Sequence, residues 1–340
     1  MARVAGVRKR RPLAVLLAVL ALVPMAAGCG PGGSTRPNAE ATLLLDFQPN
    51  AVHAGIYVAT ARGFDEAEGV ELTVQAPGDG ASGVKLLEAN RVQFAILDIH
   101  DLALARQEGA DLVGVMAIVQ RPLAAILARP GIEDPAGLEG ERVGVTGLPS
   151  DDAVVDSIVR GAGGDPAKVR KTQIGFDAVR SLVTGRVRGA TAFWNAEGVR
   201  ARRELPGVRE FRVDEFGAPR YPELVLVTRT ATAQDRPEEV QAVVTALRRG
   251  YRETVLGPEE AVSRLVDAVD GLERVQVQRE LDAVSPAFTA GSGAIGTLDL
   301  PQLRRWAAWE AEFGITREPP DVALAFAPRF AVQGVIADGG

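Results

Sequence analysis

One cysteine and two histidines are all that this 340-residue chain carries of the residues that most often ligate metals. A lone Cys29 leaves no intrachain disulfide. His53 and His100 are the whole histidine supply, and no His-x-x-x-His or Cys-x-x-Cys spacing occurs, so a metal centre is not expected. The chain also lacks a Gly-x-Ser-x-Gly nucleophile elbow and a Gly-x-x-x-x-Gly-Lys-Ser/Thr phosphate loop. That removes the motif-borne cases for α/β-hydrolase and P-loop chemistry, and no cofactor is expected. No apolar run reaches the roughly 20 residues of a membrane-spanning helix. No repeat of roughly 20–50 residues recurs.

What the chain has begins with a leader. Arg3, Arg8, Lys9, Arg10 and Arg11 precede an apolar run over 13–23 and the small-residue stretch Ala26-Ala27-Gly28-Cys29. This order reads as a secretory signal peptide over 1–28. Cys29 after Ala-Ala-Gly resembles the bacterial lipobox, with Ala26 where Leu is usual. The resemblance implies acylation of Cys29 and a lipid anchor in the cell membrane. Gly30-Pro31-Gly32-Gly33-Ser34 then opens a flexible tether over 29–40. Removing 1–28 takes away five basic and no acidic residues and moves the formal charge from −6 to −11. So acidic a body excludes nucleic acid as an expected partner.

Beyond the tether, short apolar runs alternate with helical patterns. Strands are expected at 42–45, 70–74, 92–96, 112–119, 123–128, 142–146 and 224–227, with helices between them, which points to α/β layers. The helix over 153–160 is expected to end at Gly161 through a left-handed terminal residue. Asp134-Pro135-Ala136-Gly137-Leu138-Glu139-Gly140 is turn-rich, and a lobe change is expected near it. Later, Val240, Val243, Val244, Leu247 and Tyr251 recur at helical spacing, as do Leu303, Trp306, Trp309 and Phe313. Both read as packing stripes.

Five polar or aromatic groups fall at the ends of expected strands, where open α/β sheets bind ligands. They are Phe47, Gln48, Asn50, His53 and Tyr57; Asp98 with His100 and Asp101; Ser150-Asp151-Asp152; Phe193-Trp194-Asn195-Ala196-Glu197; and Tyr221-Pro222-Glu223. Aromatic faces beside carboxylates and amides suit flat nitrogen heterocycles. Each group has a plainer alternative: a core hydrogen bond for His53, an ion pair for Asp98, a helix cap at Ser150, turn packing for Tyr221. Trp194 with Glu197 is the stronger binding pair.

Asp46-Phe47-Gln48-Pro49-Asn50…His53-Ala54-Gly55-Ile56-Tyr57, with Phe193-Trp194-Asn195-Ala196-Glu197-Gly198 and Gly217-Ala218-Pro219-Arg220-Tyr221-Pro222-Glu223, resembles bacterial binding proteins for thiamine-pyrimidine precursors and the related thiamine pyrimidine synthases. The resemblance runs over about residues 42–230. It implies a type II periplasmic-binding-protein fold: two α/β lobes joined by two crossings, with the ligand in the cleft. Lobe I would take 41–128, lobe II 129–225, and 226–335 would return to lobe I and add C-terminal helices. Asn50, His53 and Tyr57 would line one wall, Trp194 and Glu197 the other. The implied function is capture of a small heterocycle by hinge closure, outside the cytoplasm, with delivery to an ATP-driven permease. Riboflavin or an organic anion such as a sulfonate stays open, because Phe47 and the Asp98–Asp101 loop depart from the pyrimidine binders. The synthases use a histidine at the place of His53 as a sacrificial substrate, together with a cysteine-rich iron-binding segment that this chain lacks.

Overall fold

The apolar runs become ten strands in two five-stranded sheets, each covered by helices. The structure is a computed structural model that describes residues 39–78, 82–289 and 294–331. The leader, Cys29, the tether through residue 38 and positions 332–335 lie outside the described residues. In chain order come β1 (Ala39–Leu44), a one-turn 3-10 helix (Ala51–His53), α1 (Ala54–Ala61), α2 (Phe64–Ala67), β2 (Val70–Gln75), α3 (Gly83–Glu88), β3 (Phe94–Asp98), α4 (Ile99–Gln107) and β4 (Leu112–Ala117). The second sheet is built from β5 (Ala124–Ala128), β6 (Arg142–Val145), α5 (Asp151–Gly161), β7 (Arg170–Gln173), α6 (Ala178–Val183), β8 (Gly189–Phe193), α7 (Glu197–Glu204) and β9 (Arg209–Arg212). The chain returns as β10 (Leu224–Arg229) and continues through α8 (Thr230–Asp235), α9 (Pro237–Leu256), α10 (Pro258–Ala268), α11 (Arg274–Val284), α12 (Leu300–Glu312) and α13 (Val322–Ala325).

The two sheets share one plan. The first runs β2-β1-β3-β10-β4 and the second β7-β6-β8-β5-β9. Within each, four strands run in one direction and the strand delivered by a crossing inserts antiparallel: β10 between β3 and β4, β5 between β8 and β9. The crossings therefore bring Glu223 and Ala124 to the carboxyl ends of β3 and β8, with Leu224 opposite Asp98 and Ala124 opposite Phe193.

The lobe change does not fall at Asp134–Gly140. Residues 124–128 pair only within the second sheet, so the first crossing lies between β4 and β5, and the second ends where β10 begins. Asp134 instead caps a local turn inside the second lobe, its Oδ1 accepting the Ala136 N–H at 2.8 Å. Gly161 also differs from expectation. It needs no left-handed backbone; a Cβ there would overlap the Phe216 carbonyl, so close approach is what requires glycine. Gly78-Asp79-Gly80-Ala81-Ser82-Gly83 has Gly-x-Gly-x-x-Gly spacing, but it follows an edge strand rather than a point where strand order reverses, as a dinucleotide site requires.

The packing stripes form as expected. Val240, Val243, Val244, Leu247 and Tyr251 are fully buried on α9, and Leu303, Trp306 and Trp309 are buried on α12. Where α9 crosses α1, Gly250 meets Gly55: a Cβ on Gly250 would overlap the Gly55 carbonyl oxygen, and one on Gly55 would overlap the Tyr251 ring. The Tyr251 hydroxyl donates to the Val52 carbonyl at 2.9 Å. Gly250→Ala is expected to destabilise the fold by about 2 kcal/mol or more through forced separation of the two helices. A urea melt checks this, and an unchanged midpoint would show that the crossing yields freely. On α12, the Trp309 indole N–H donates to Ser157 Oγ of α5 at 3.2 Å while Glu310 bonds His100 of α4, so one helix ties both lobes. Among the described residues no helix is long and apolar enough to cross a membrane.

Candidate functional site

A pocket, part of it open to solvent, lies at the strand ends of the second lobe and takes Ala124 and Glu223 of the crossings into its lining. Its floor and walls come from Ala124, from Thr146, Leu148 and Ser150 after β6, from Asp151 and Val154 on α5, from Phe176 and Ala178, from Thr191, Ala192 and Phe193 of β8, and from Glu197 and Glu223. Three of these are carboxylates. None is Lys, Arg or His.

Asp151 builds one wall. Its Oδ2 accepts the N–H groups of Gly147 (2.6 Å) and Leu148 (2.8 Å) and the Thr146 hydroxyl (2.9 Å), while Oδ1 accepts the Thr191 hydroxyl (2.7 Å). One side chain in the first turn of α5 thus sets the loop that carries Ser150, rather than serving as a simple cap. Glu197, opening α7, accepts the Phe193 N–H through Oε2 at 3.2 Å. Glu223 is buried, with Oε2 accepting the Leu123 N–H at 2.7 Å. Burial raises its carboxyl above the usual range, against the opposing pull of His100 and of the Leu123 and Ala124 backbone.

Behind Glu223 stands a charged cluster. Asp98 caps α4 by accepting the His100 N–H at 2.8 Å, and burial raises its carboxyl well above the ordinary value. Burial alone would lower the His100 imidazole, but the Glu310 and Asp98 carboxylates overcome that and hold it at about 10. His100 Nδ1 bonds the fully buried Glu310, and Nε2 lies 3.3 Å from the Tyr221 hydroxyl. The ligand-type atoms of Asp98, His100 and Glu223 lie within 4.8 Å of one another.

The expected residues divide. Ser150, Glu197 and Glu223 line the pocket, and Asp98 adjoins it through Glu223. Trp194 does not line it. Its indole is 1% exposed, donates its N–H to the Pro122 carbonyl at 2.8 Å, and packs under the Arg212 guanidinium 4.1 Å from the ring centre. Trp194 lies just past the end of β8, where its backbone N–H donates to the Leu123 carbonyl at 3.0 Å and its indole is spent on the first crossing. Tyr221 is also buried, stacked on Trp309 with ring centres 5.7 Å apart.

In the first loop, His53 is fully buried with both ring nitrogens engaged. Nδ1 accepts the Asn50 N–H at 3.1 Å, and Nε2 therefore carries the hydrogen and donates it to Asp46 Oδ1 at 2.8 Å. Asn50 accepts the Val52 N–H and donates to the Gln48 carbonyl. Both hold the loop rather than the pocket, and Tyr57, partly buried, packs against the core. Phe47 is the exception: half exposed, it meets Phe176 of the other lobe at 5.5 Å between ring centres. On the same opening, Arg203 of α7 donates to Gln276 of α11 at 2.7 Å, and Gln276 donates to Glu280 at 2.8 Å. Sequence reasoning missed Phe176, Thr146 and Thr191. No strand was expected ahead of Phe176, so nothing in the sequence marked it.

Two similar sheets with a pocket at their strand ends define the two-lobed architecture of the periplasmic binding proteins. The periplasmic aliphatic sulphonate binding protein SsuA from Escherichia coli superposes with a TM-score of 0.70 at 17% identity, over 86% of this chain and 93% of that one. The chain belongs to the NMT1/THI5-like family, which it matches over residues 50–261. It is 30% identical to the formylaminopyrimidine-binding protein of Halalkalibacterium halodurans over 263 residues, 76% of this chain and 78% of that protein. It is 26% identical to the riboflavin-binding protein RibY of Chloroflexus aurantiacus over 338 residues, 94% of this chain and 95% of that protein. A 4-amino-5-hydroxymethyl-2-methylpyrimidine phosphate synthase of Legionella pneumophila is 24% identical over 253 residues, 73% of this chain and 79% of that protein.

Proposed function

We propose that this protein is the extracytoplasmic solute-binding component of an ATP-driven importer, anchored through an acylated Cys29, and that it captures an amino-substituted heterocycle of the thiamine-pyrimidine type. The observation that carries the reading is the charge of the pocket. Glu197 and Glu223 offer acceptors to ring amino groups, and no cation lines the site to hold a sulfonate or carboxylate. An anionic ligand would lose its hydration and meet like charge, which is destabilising in a partly buried site. The match to a formylaminopyrimidine-binding protein agrees with that chemistry.

Capture proceeds by hinge closure. The two crossings serve as the hinge, and the Phe47–Phe176 pair together with the Arg203–Gln276–Glu280 chain join the lobes across the opening. Parting the aromatic pair admits the ring, which then lies against Phe176 and Phe193 with its amino edge toward Glu197. The closed form is what the permease recognises. A synthase reading is disfavoured by His53, whose ring nitrogens are both committed to the loop.

Calorimetric titration with formylaminopyrimidine, riboflavin and an aliphatic sulfonate tests the proposal. Formylaminopyrimidine is expected to bind, and Glu197→Gln to weaken it roughly fivefold to tenfold by removing the charge from one hydrogen bond. Binding of the sulfonate alone would overturn the assignment. Riboflavin is the second reading, favoured by an alignment that spans 94% of the chain; it predicts preference for the flavin in the same titration.

A further inference from the structure

We propose that Asp98, His100 and Glu223 form a binding site for one divalent transition-metal cation of the zinc class at the floor of the pocket. The three residues come from three places in the chain: the end of β3, the start of α4 and the last residue of the second crossing. Only the pairing of β10 against β3 brings them together, which is why residue spacing excluded a metal centre in the sequence. One imidazole nitrogen and two carboxylate oxygens lie within 4.8 Å of one another, so small side-chain shifts bring them to a common cation.

Two independent features support a ligating histidine. Glu310 holds Nδ1, which leaves Nε2, 3.3 Å from the Tyr221 hydroxyl, as the nitrogen open to a cation. A carboxylate behind a histidine in this way is the usual arrangement that orients metal ligands and strengthens their basicity. The second feature is charge. Asp98, Glu223 and Glu310 surround one imidazole and pair with no Lys or Arg among the described residues, so carboxylate oxygens outnumber the two ring nitrogens that face them. Glu223 lines the pocket and Asp98 is half-buried, so the site is reached from the cleft.

The groups facing His100 are Asp98 from β3, Asp101 from its own helix, Tyr221 and Glu223 from the crossing, and Glu310 from α12. The cation site shares Glu223 with the proposed heterocycle site, and cation binding is therefore measured without any organic ligand.

The test is calorimetric titration of the tag-free, chelator-treated protein with zinc chloride, repeated with magnesium chloride. One zinc per chain and no magnesium is the expected result. Asp98→Asn keeps the helix cap, because Asn caps as well as Asp, and is expected to weaken zinc at least tenfold with little change in the apo melting temperature. Glu223→Gln, which can still accept the Leu123 N–H, should do the same. Nitrogen NMR gives the second readout: with only two histidines present, His100 Nε2 should shift on zinc addition while His53 stays in place. No saturable binding, or saturable binding that leaves His100 unmoved and survives Asp98→Asn, overturns the proposal.

Discussion

Asp151→Ala is expected to weaken ligand capture at least about 100-fold and to cost the fold about 1–3 kcal/mol. The Asp151 carboxylate accepts two backbone N–H groups and two hydroxyls at the pocket wall. After truncation the Leu148 N–H keeps the Thr146 hydroxyl at 3.3 Å and water reaches the half-exposed loop, but the buried Thr191 hydroxyl loses its partner outright, at about 1–3 kcal/mol. The loop over 146–150 then loses the geometry that places Ser150 and Leu148 against the pocket, and affinity should fall at least about 100-fold. Asp151→Asn keeps shape and one oxygen, so it should fall between wild type and alanine on both measures. Calorimetry and urea melts on the two variants check this. Wild-type affinity in a folded Asp151→Ala protein would mean that the loop over 146–150 is no part of the binding wall.

How far this site could be read from residues alone depends on what each signal measures. The stripes of α9 and α12 were legible because a helix buried on one face repeats its apolar residues in the sequence. Alternating β and α patterns were legible for the same reason. The lobe boundary was not. β4 and β5 are both apolar runs buried on two faces, and nothing in such a run says which sheet it joins. Turn chemistry at Asp134–Gly140 was the louder local signal, yet it reports a bend in the backbone and not a change of lobe.

At the site, Glu197, Glu223 and Ser150 were legible because carboxylates and hydroxyls at strand ends need a partner or a ligand. Trp194 was assigned to the pocket on residue type alone, whereas its indole is spent on the Pro122 carbonyl and the Arg212 guanidinium. Thr146 and Thr191 were hidden by their own β propensity, since threonine in a strand calls for no explanation. The Asp98–His100–Glu223 cluster was hidden by distance: His100 and Glu223 are far apart in the chain, and Glu310 on α12 is further still. His53 and Asn50 show the opposite error. They are polar residues at a strand end whose whole hydrogen-bonding capacity is spent on their own loop.

That same distant pairing makes Glu310→Ala the most destabilising of the core changes, expected at about 3–5 kcal/mol at neutral pH. Glu310 is fully buried, and its carboxylate is the partner of a histidine that remains protonated up to about 10. Removing one member of a buried ion pair leaves the other charge without compensation, or forces it to give up its proton. The pH dependence carries the sign of the effect. An unfolded histidine holds its proton only to about 6.5, so the folded state binds the proton more tightly. The stabilisation is complete below about pH 6.5 and is lost as pH rises through about 10. Asp98 and Glu223, whose carboxyls burial raises, act in the same direction, because the folded state again keeps protons that the unfolded chain releases. The melting temperature should therefore be higher at pH 6 than at pH 9. In Glu310→Gln, which preserves volume while removing the charge, His100 loses the larger part of what raises it, and the decline between pH 7 and 10 should flatten. An equally steep decline in the variant would place the titrating group elsewhere. Because α12 touches α4 through Glu310 and α5 through Trp309, the same titration acts on the helix that spans both lobes. Alkaline pH should accordingly loosen the hinge before it unfolds either sheet, seen as earlier amide exchange in α12 than in β1 or β8.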